Sequence, residues 1–135
     1  MLVQTLDCLR DNHAPMIYAF SDAPRIPEHE SSVQAVRKTL NSIDWCKVIL
    51  CERTENFGLG RSIRTGVTEV LAQHDTVIVF EDDLICVPGT YAYLCAALDH
   101  YRDDSRVLSV TGWTHPRVTP SDVTNQPYFD GRAEC

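Results

Sequence analysis

The sequence lacks the signatures of several common classes of protein. No apolar run approaches the roughly 18 residues of a membrane-spanning helix, so we predict no membrane span. The motifs G-x-x-x-x-G-K-S/T, G-x-G-x-x-G and G-x-S-x-G are all absent, which gives no support to P-loop, dinucleotide-fingerprint or hydrolase functions. The first residues, MLVQTLDCLRDN, include acids and no basic start, which is not the pattern of a signal peptide.

Positive charge is scarce. The chain has 12 Lys and Arg against 19 Asp and Glu, which gives a formal net charge of −7. A chain this acidic is poorly suited to bind nucleic acid through phosphate contacts, whereas it tolerates a divalent cation. The 135 residues are 44% hydrophobic, which is enough for a single domain with its own core.

The cysteines form no C-x-x-C pair with the spacing of a metal site. There are six of them: Cys8, Cys46, Cys51, Cys86, Cys95 and Cys135. Apolar neighbours surround several, such as Cys51 after VIL and Cys95 in YLCAAL. This pattern favours buried free thiols over disulfides, and with them a cytoplasmic protein.

Hydrophobic periodicity predicts alternating strands and helices. The predicted strands span residues 16–20, 47–51, 76–80 and 106–111. The predicted helices span residues 2–9, about 31–43, about 61–73 and about 90–101. Strands separated by helices predict right-handed crossovers, and therefore an α/β fold with a mainly parallel sheet flanked by helices. The whole of 1–135 is expected to form one domain, with 113–135 as an irregular C-terminal segment.

Three acids follow the apolar run at residues 76–80. Glu81, Asp82 and Asp83 repel one another at contact distance, and a divalent cation would remove that cost. Mg²⁺ and Mn²⁺ prefer carboxylate oxygens, and Mg²⁺ sites use one or two of them beside waters and phosphates. The position at a strand end favours a metal or ligand role, and the alternative is a solvated acidic turn.

Polar residues also follow the first two predicted strands. Asp22 follows residues 16–20, and Asn56 lies in the glycine-containing loop after residues 47–51. Because ligands of parallel sheets bind at the carboxyl ends of strands, these residues should gather at one edge with the acid cluster. Glycines let backbone approach a ligand, and a helix N-terminus favours anions. An ordinary turn explains either residue equally well, and the nearby Arg61 could be a surface residue.

Together, the segments FSDAP, IDWCKVILCERTENFGLGRSI, VIVFEDDLICVPGTYAYL and VLSVTGW resemble the GT-A glycosyltransferases. The resemblance is closest to the group around N-acetylglucosaminyltransferase I and to bacterial family-2-like sugar transferases, and it spans about residues 2–113. It implies a GT-A, Rossmann-like fold and metal-dependent transfer of a sugar from a nucleotide-sugar, UDP-sugars above all, to an acceptor.

The resemblance also implies roles for individual residues. Asp83 would bind the Mn²⁺ or Mg²⁺ that bridges the donor diphosphate, and this metal would act as a Lewis acid. Asp22 would accept a hydrogen bond from the nucleobase, and Arg61 would lie near it. Glu81 and Asp82 would contact the ribose or position the metal's waters. The substrate-binding residues are thus expected to be Asp22, Asn56, Arg61, Glu81 and Asp82.

The chain departs from the family in two respects. The family's first strand and its acceptor half have no counterpart here, which suggests a truncated domain that binds its donor weakly and transfers no sugar. No catalytic residue is therefore assigned, and Glu134 is not taken as the base. The alternatives are a non-catalytic binding or structural remnant of this fold, and a receiver-like Mg²⁺-binding signalling domain. The latter needs an early acidic pair that the sequence lacks.

The absent first strand leads to an expectation about the sheet. In the family that strand lies between residues 16–20 and 76–80. Leaving the gap open would cost about 1–3 kcal/mol for each buried unpaired backbone group. We therefore expect residues 16–20 to pair directly with 76–80, in the order 47–51, 16–20, 76–80 and 107–110. The alternatives are that a second chain supplies a strand, or that residues 1–6 form a strand instead of a helix.

Overall fold

The computed structural model of the chain describes residues 1–112, which contain helices and a small parallel sheet. The helices are α1 (Leu2–Asp11), α2 (Glu30–Asn41), α3 (Leu59–Leu71) and α4 (Thr90–His100), with a single 3₁₀ turn at Pro27–His29. The strands are β1 (Met16–Ser21) and β2 (Lys47–Glu52). The α/β class is confirmed, as are all four helices and the first two strands, each within a few residues of its predicted bounds.

Strands β1 and β2 pair in parallel, from Met16 opposite Lys47 to Ser21 opposite Glu52. The segment between them contains α2, so the connection is a crossover through a helix, as parallel neighbours require. One further backbone bond, from Arg53 N to Ser21 O at 2.9 Å, extends the pairing past the strand ends. The two chain segments that follow the strands therefore leave the sheet side by side.

Side chains alternate between the two faces of a strand, and helices cover both faces of β1. On one face, Leu6 of α1 and Leu40 of α2 are buried with Ala19. On the other face, the Phe20 ring lies against Gly66 of α3, where an added Cβ would stand 3.0 Å from Phe20 Cδ2. This arrangement explains the apolar sequence of β1, and it directs the strand's carboxyl end toward the loop before α3.

The last two predicted strands are wrong. Within residues 1–112 the sheet has two strands, and residues 76–80 and 106–111 have no regular secondary structure. Direct pairing of residues 16–20 with 76–80 is therefore also wrong, and so is the four-strand order. The physical reason is that an apolar, β-branched sequence favours strand conformation but does not specify a partner about 4.8 Å away, without which no strand forms.

None of the helices between residues 1 and 112 is long and apolar enough to cross a membrane. The predicted irregular segment 113–135 lies outside the described residues.

Candidate functional site

Asp22 lies where β1 ends, and its carboxylate binds the loop and first turn that lead into α3. Its Oδ2 accepts hydrogen bonds from the backbone N–H groups of Phe57 at 2.8 Å and Gly58 at 2.9 Å. Its Oδ1 accepts a third from Ser62 Oγ at 3.1 Å. Phe57 and Gly58 precede Leu59, the first residue of α3, and a negative charge near the N-terminus of a helix is favourable. A carboxylate has about four acceptor positions, so Oδ1 keeps capacity for one more donor.

Asn56 connects the same two loops from the other side. Its Nδ2 donates to Ala23 O at 2.9 Å, and Ala23 N donates to Glu55 O at 3.3 Å. Gly58 has φ 68°, a left-handed conformation that glycine adopts without a steric penalty and that turns the chain into α3. The structure therefore brings the predicted residues Asp22 and Asn56 together at the carboxyl ends of the two strands.

Asp22, Asn56 and the loop before α3 form what we call the Asp22 junction. Arg61 packs on an aromatic ring beside this junction. Its guanidinium carbon lies 3.7 Å from the centroid of the Phe57 ring, and that of Arg53 lies 5.1 Å from it. The Arg61 side chain is 50% exposed and makes only a 3.5 Å ion pair with Glu55. Guanidinium groups stack on aromatic faces, so the pair presents a flat cationic surface to solvent.

Arg53 links the loop before α3 to that helix, through the Phe57 ring and Glu69. Its Nη2 donates to Glu69 Oε1 at 2.7 Å, and the side chain is 17% exposed. Its Nε is buried and has no hydrogen-bond partner among the described residues. An unpaired buried donor costs about 1–3 kcal/mol, so the position of this side chain depends on its ion pair and its ring contacts.

Arg37 of α2 is a site residue that sequence analysis missed. Its side chain is 11% exposed, and its Nη1 donates to Glu52 Oε2 at 2.7 Å. Its other nitrogens donate to Ser21 Oγ and to the carbonyl oxygens of Ser21, Asp22 and Arg53, at 3.2–3.5 Å. It thus ties the ends of both strands together. Only the tertiary fold places α2 over these ends, so the sequence carries no signal for this role.

Glu81, Asp82 and Asp83 form an exposed turn, in which Leu84 N donates to Glu81 O at 3.3 Å. No group of three or more His, Cys, Asp or Glu side chains that could hold a metal occurs within residues 1–112. The turn nevertheless supplies hard oxygen donors open to solvent, which fits an ion completed by water and phosphate oxygens. Asp83 as the metal ligand stays a prediction.

Polar side chains of α1 bind the backbone of the turn and of the segment after it. Thr5 Oγ1 donates to Asp82 O at 2.9 Å. Asn12 Nδ2 donates to Val87 O at 3.1 Å, and Asn12 Oδ1 accepts from Tyr91 N at 3.2 Å. Thr5 and Asn12 are only 3% and 8% exposed. Sequence analysis found the apolar positions of α1 and missed this second set, although Thr5, Cys8 and Asn12 recur at helical spacing.

Cysteine environments differ from the predicted burial. All five described cysteines are free thiols, as expected, but only Cys8 is buried, and Cys95 is exposed. Burial, followed by a hydrogen bond with Cys8, raises the pKa of the Cys86 thiol to about 11. Apolar neighbours in sequence do not ensure burial, because one face of a helix such as α4 remains in solvent.

No described hydrogen bond or ion pair joins the Asp22 junction to the acidic turn. Glu134, which sequence analysis did not take as the base, lies outside the described part of the chain. Comparison with known proteins gives no match, whether to a family model, to a curated protein or to a solved structure.

Proposed function

We propose that this chain is the donor-binding portion of a metal-dependent glycosyltransferase with a GT-A fold, and that it binds a UDP-sugar. The observation that carries the proposal is the junction of Asp22 with the loop before α3. It lies at the carboxyl ends of two parallel strands, where α/β sheets bind their ligands. It combines a carboxylate acceptor with an exposed guanidinium stacked on a ring.

The nucleobase would lie at this junction. Asp22 Oδ1 has capacity for one further donor, which suits the N–H of a uracil ring, and the three bonds to the loop and first turn of α3 fix the carboxylate in place. Arg61 would stack on or beside the base, because its side chain is half exposed and its contact with Glu55 is long. Asn56 would act by holding the loop at Ala23 rather than by contacting the base.

The acidic turn would serve the diphosphate. Asp83 would hold Mn²⁺ or Mg²⁺, which when bound supplies positive charge to the departing nucleoside diphosphate. Glu81 and Asp82 would orient ribose hydroxyls or metal-bound water from the same turn. Thr5 stabilises this turn through its bond to Asp82 O. A sugar-containing acceptor would complete the reaction, and no catalytic base is assigned.

The test is a titration of the full chain with UDP and Mg²⁺, followed by amide NMR. We expect shifts centred on Phe57 and Gly58, whose N–H groups contact Asp22, with Mg²⁺-dependent shifts at Leu84. Asp22→Asn should weaken UDP binding about tenfold, since a charged acceptor is worth more than a neutral one. Asp103→Asn, at an exposed acid, is the matched control. Shifts centred away from both segments would overturn the assignment.

A non-catalytic binding or structural module remains the second candidate. Two observations favour it: no set of three metal-binding side chains is assembled within residues 1–112, and Asp22 already has a structural role in the loop before α3. In that case UDP and Mg²⁺ would produce no saturable shifts at either segment.

A further inference from the structure

Two cysteines that are 78 positions apart in sequence meet between α1 and the segment after the acidic turn. Cys86 Sγ donates to Cys8 Sγ at 3.2 Å, and Cys86 N donates to the same sulfur at 3.3 Å. Neighbouring bonds fix both partners: Cys8 Sγ donates to Thr5 O at 3.1 Å, and Asn12 Nδ2 donates to Cys86 Sγ at 3.4 Å. A small closing movement brings the two sulfurs to the roughly 2.05 Å of a disulfide bond.

We propose that Cys8 and Cys86 are a redox-active pair that forms a reversible disulfide linking α1 to the segment that follows Asp83. The proposal does not rest on nucleotide binding. It rests on the contact of two sulfurs from distant parts of the chain, since the other described cysteines show no sulfur–sulfur contact. Cys86 is partly exposed whereas Cys8 is 8% exposed, so Cys86 is the thiol that an oxidant reaches first.

The oxidant is a small-molecule disulfide such as oxidised glutathione. The Cys86 thiolate attacks one of its sulfurs and expels one glutathione thiolate, which gives a mixed disulfide. Cys8 then loses its proton, attacks the Cys86 sulfur and expels the second glutathione. Two protein thiols are oxidised, one oxidised glutathione becomes two reduced glutathiones, and these take up the two protons. Excess thiol reverses both steps. The raised pKa of Cys86 makes the first step slow at neutral pH and faster in mild alkali.

The bond would restrain the acidic turn. Cys86 is three residues beyond Asp83, and α1 already binds Asp82 O and Val87 O on either side of it. Oxidation would replace a contact between thiols with a covalent link, at the centre of the contact between α1 and the segment at residues 82–87. We expect amide hydrogen exchange at residues 84–87 to slow at least tenfold. The midpoint of thermal unfolding should rise by roughly 5–15 °C, since the bond closes a long loop.

The test treats the full chain with oxidised glutathione in mild alkali and counts free thiols with a maleimide. Mass spectrometry separates cysteines that carry glutathione from cysteines joined to one another, and we expect two of the six, Cys8 and Cys86, to be joined in one non-reduced peptide. The same count after excess reductant should return to six. Six thiols throughout, a dimer between chains, or a link between any other pair would overturn the proposal.

Matched variants make the test specific. Cys46→Ser and Cys95→Ser should each still lose two thiols, whereas Cys86→Ser should lose none by intramolecular linkage. Cys8 is buried, so it is replaced by the apolar Cys8→Ala rather than by serine, and circular dichroism checks that this variant folds. Phenylarsine oxide, which bridges adjacent thiols, should bind the parent chain once and Cys86→Ser not at all. An intramolecular disulfide in Cys86→Ser would contradict the assignment.

Discussion

At the scale of single residues, Asp22 has a structural role that can be separated from a binding role. Its carboxylate accepts two backbone N–H groups and one hydroxyl at the start of α3. Asp22→Ala removes all three bonds and should lower the free energy of unfolding by about 1–2 kcal/mol, because an intramolecular hydrogen bond contributes about 1 kcal/mol net and the freed loop groups regain part of this from water. Asp22→Asn keeps a neutral acceptor and should cost less. Urea unfolding measures both.

The control for this prediction is Asp103→Ala, which alters an exposed acid outside the helices. It should change the free energy of unfolding by no more than about 0.5 kcal/mol. If Asp22→Ala were as harmless as this control, the carboxylate would not be holding the loop before α3, and the whole side chain would be available to a ligand.

Single residues also mark the limit of what the sequence predicts. Asp22 and Asn56 were predicted to meet because each follows a strand, and strand ends share an edge of the sheet. Arg37 was missed, because its partners lie at and just beyond the ends of the strands before and after α2, 15 or 16 positions away and outside the helix's own pattern. Helical periodicity identifies which face of α2 is apolar, but it does not show which charged residue next to that face will reach a strand end.

At the scale of secondary structure elements, the packing of α3 on β1 depends on a glycine. A Cβ at Gly66 would lie 3.0 Å from Phe20 Cδ2 and 3.1 Å from Cε2, which is tighter than most real Cβ contacts and requires the Phe20 ring to shift by a few tenths of an ångström. Gly66→Ala should therefore destabilise the protein by about 1–2 kcal/mol. The overpacking cost exceeds the gain of nearly 1 kcal/mol that alanine brings to a helix interior.

Gly60→Ala is the matched control in the first turn of the same helix. A Cβ at Gly60 meets no atom within 4 Å, so the substitution should stabilise the protein by up to about 1 kcal/mol. The two variants thus have opposite expected signs in one urea-unfolding experiment. An equal increase in stability for both would mean that α3 lies farther from β1 than the Phe20 contact indicates.

The elements themselves were predictable where their signals are local. The helices α1 to α4 and the strands β1 and β2 follow from periodicity within short windows of sequence. Residues 76–80 have an equally strong apolar, β-branched signal, yet they form no strand among the described residues. A helix satisfies its own backbone bonds, whereas a strand needs a neighbour. That neighbour is a property of the whole fold, which a window of sequence does not contain.

At the scale of the whole molecule, α1 is the element that joins the sheet to the acidic turn. Leu6 contributes to the core beside β1, while Thr5, Cys8 and Asn12 bind the backbone from Asp82 onward. The helix therefore has two docking faces, one apolar and one polar. Disruption of the polar face should release the segment at residues 82–91 without unfolding the β1–β2 pair, since the apolar face keeps its contacts.

Asn12→Ala tests this separation. The substitution leaves Val87 O and Tyr91 N without their partner, each loss costing about 1–3 kcal/mol where water does not reach the group. We expect amide hydrogen exchange to accelerate at least tenfold at Tyr91 and its neighbours, while the amides of β1 and β2 keep their protection. Asn41→Ala, at the exposed end of α2, is the control and should change neither set. Equal acceleration in the strands would show that the turn and the sheet unfold as one cooperative unit, and α1 would then not be a separable link between them.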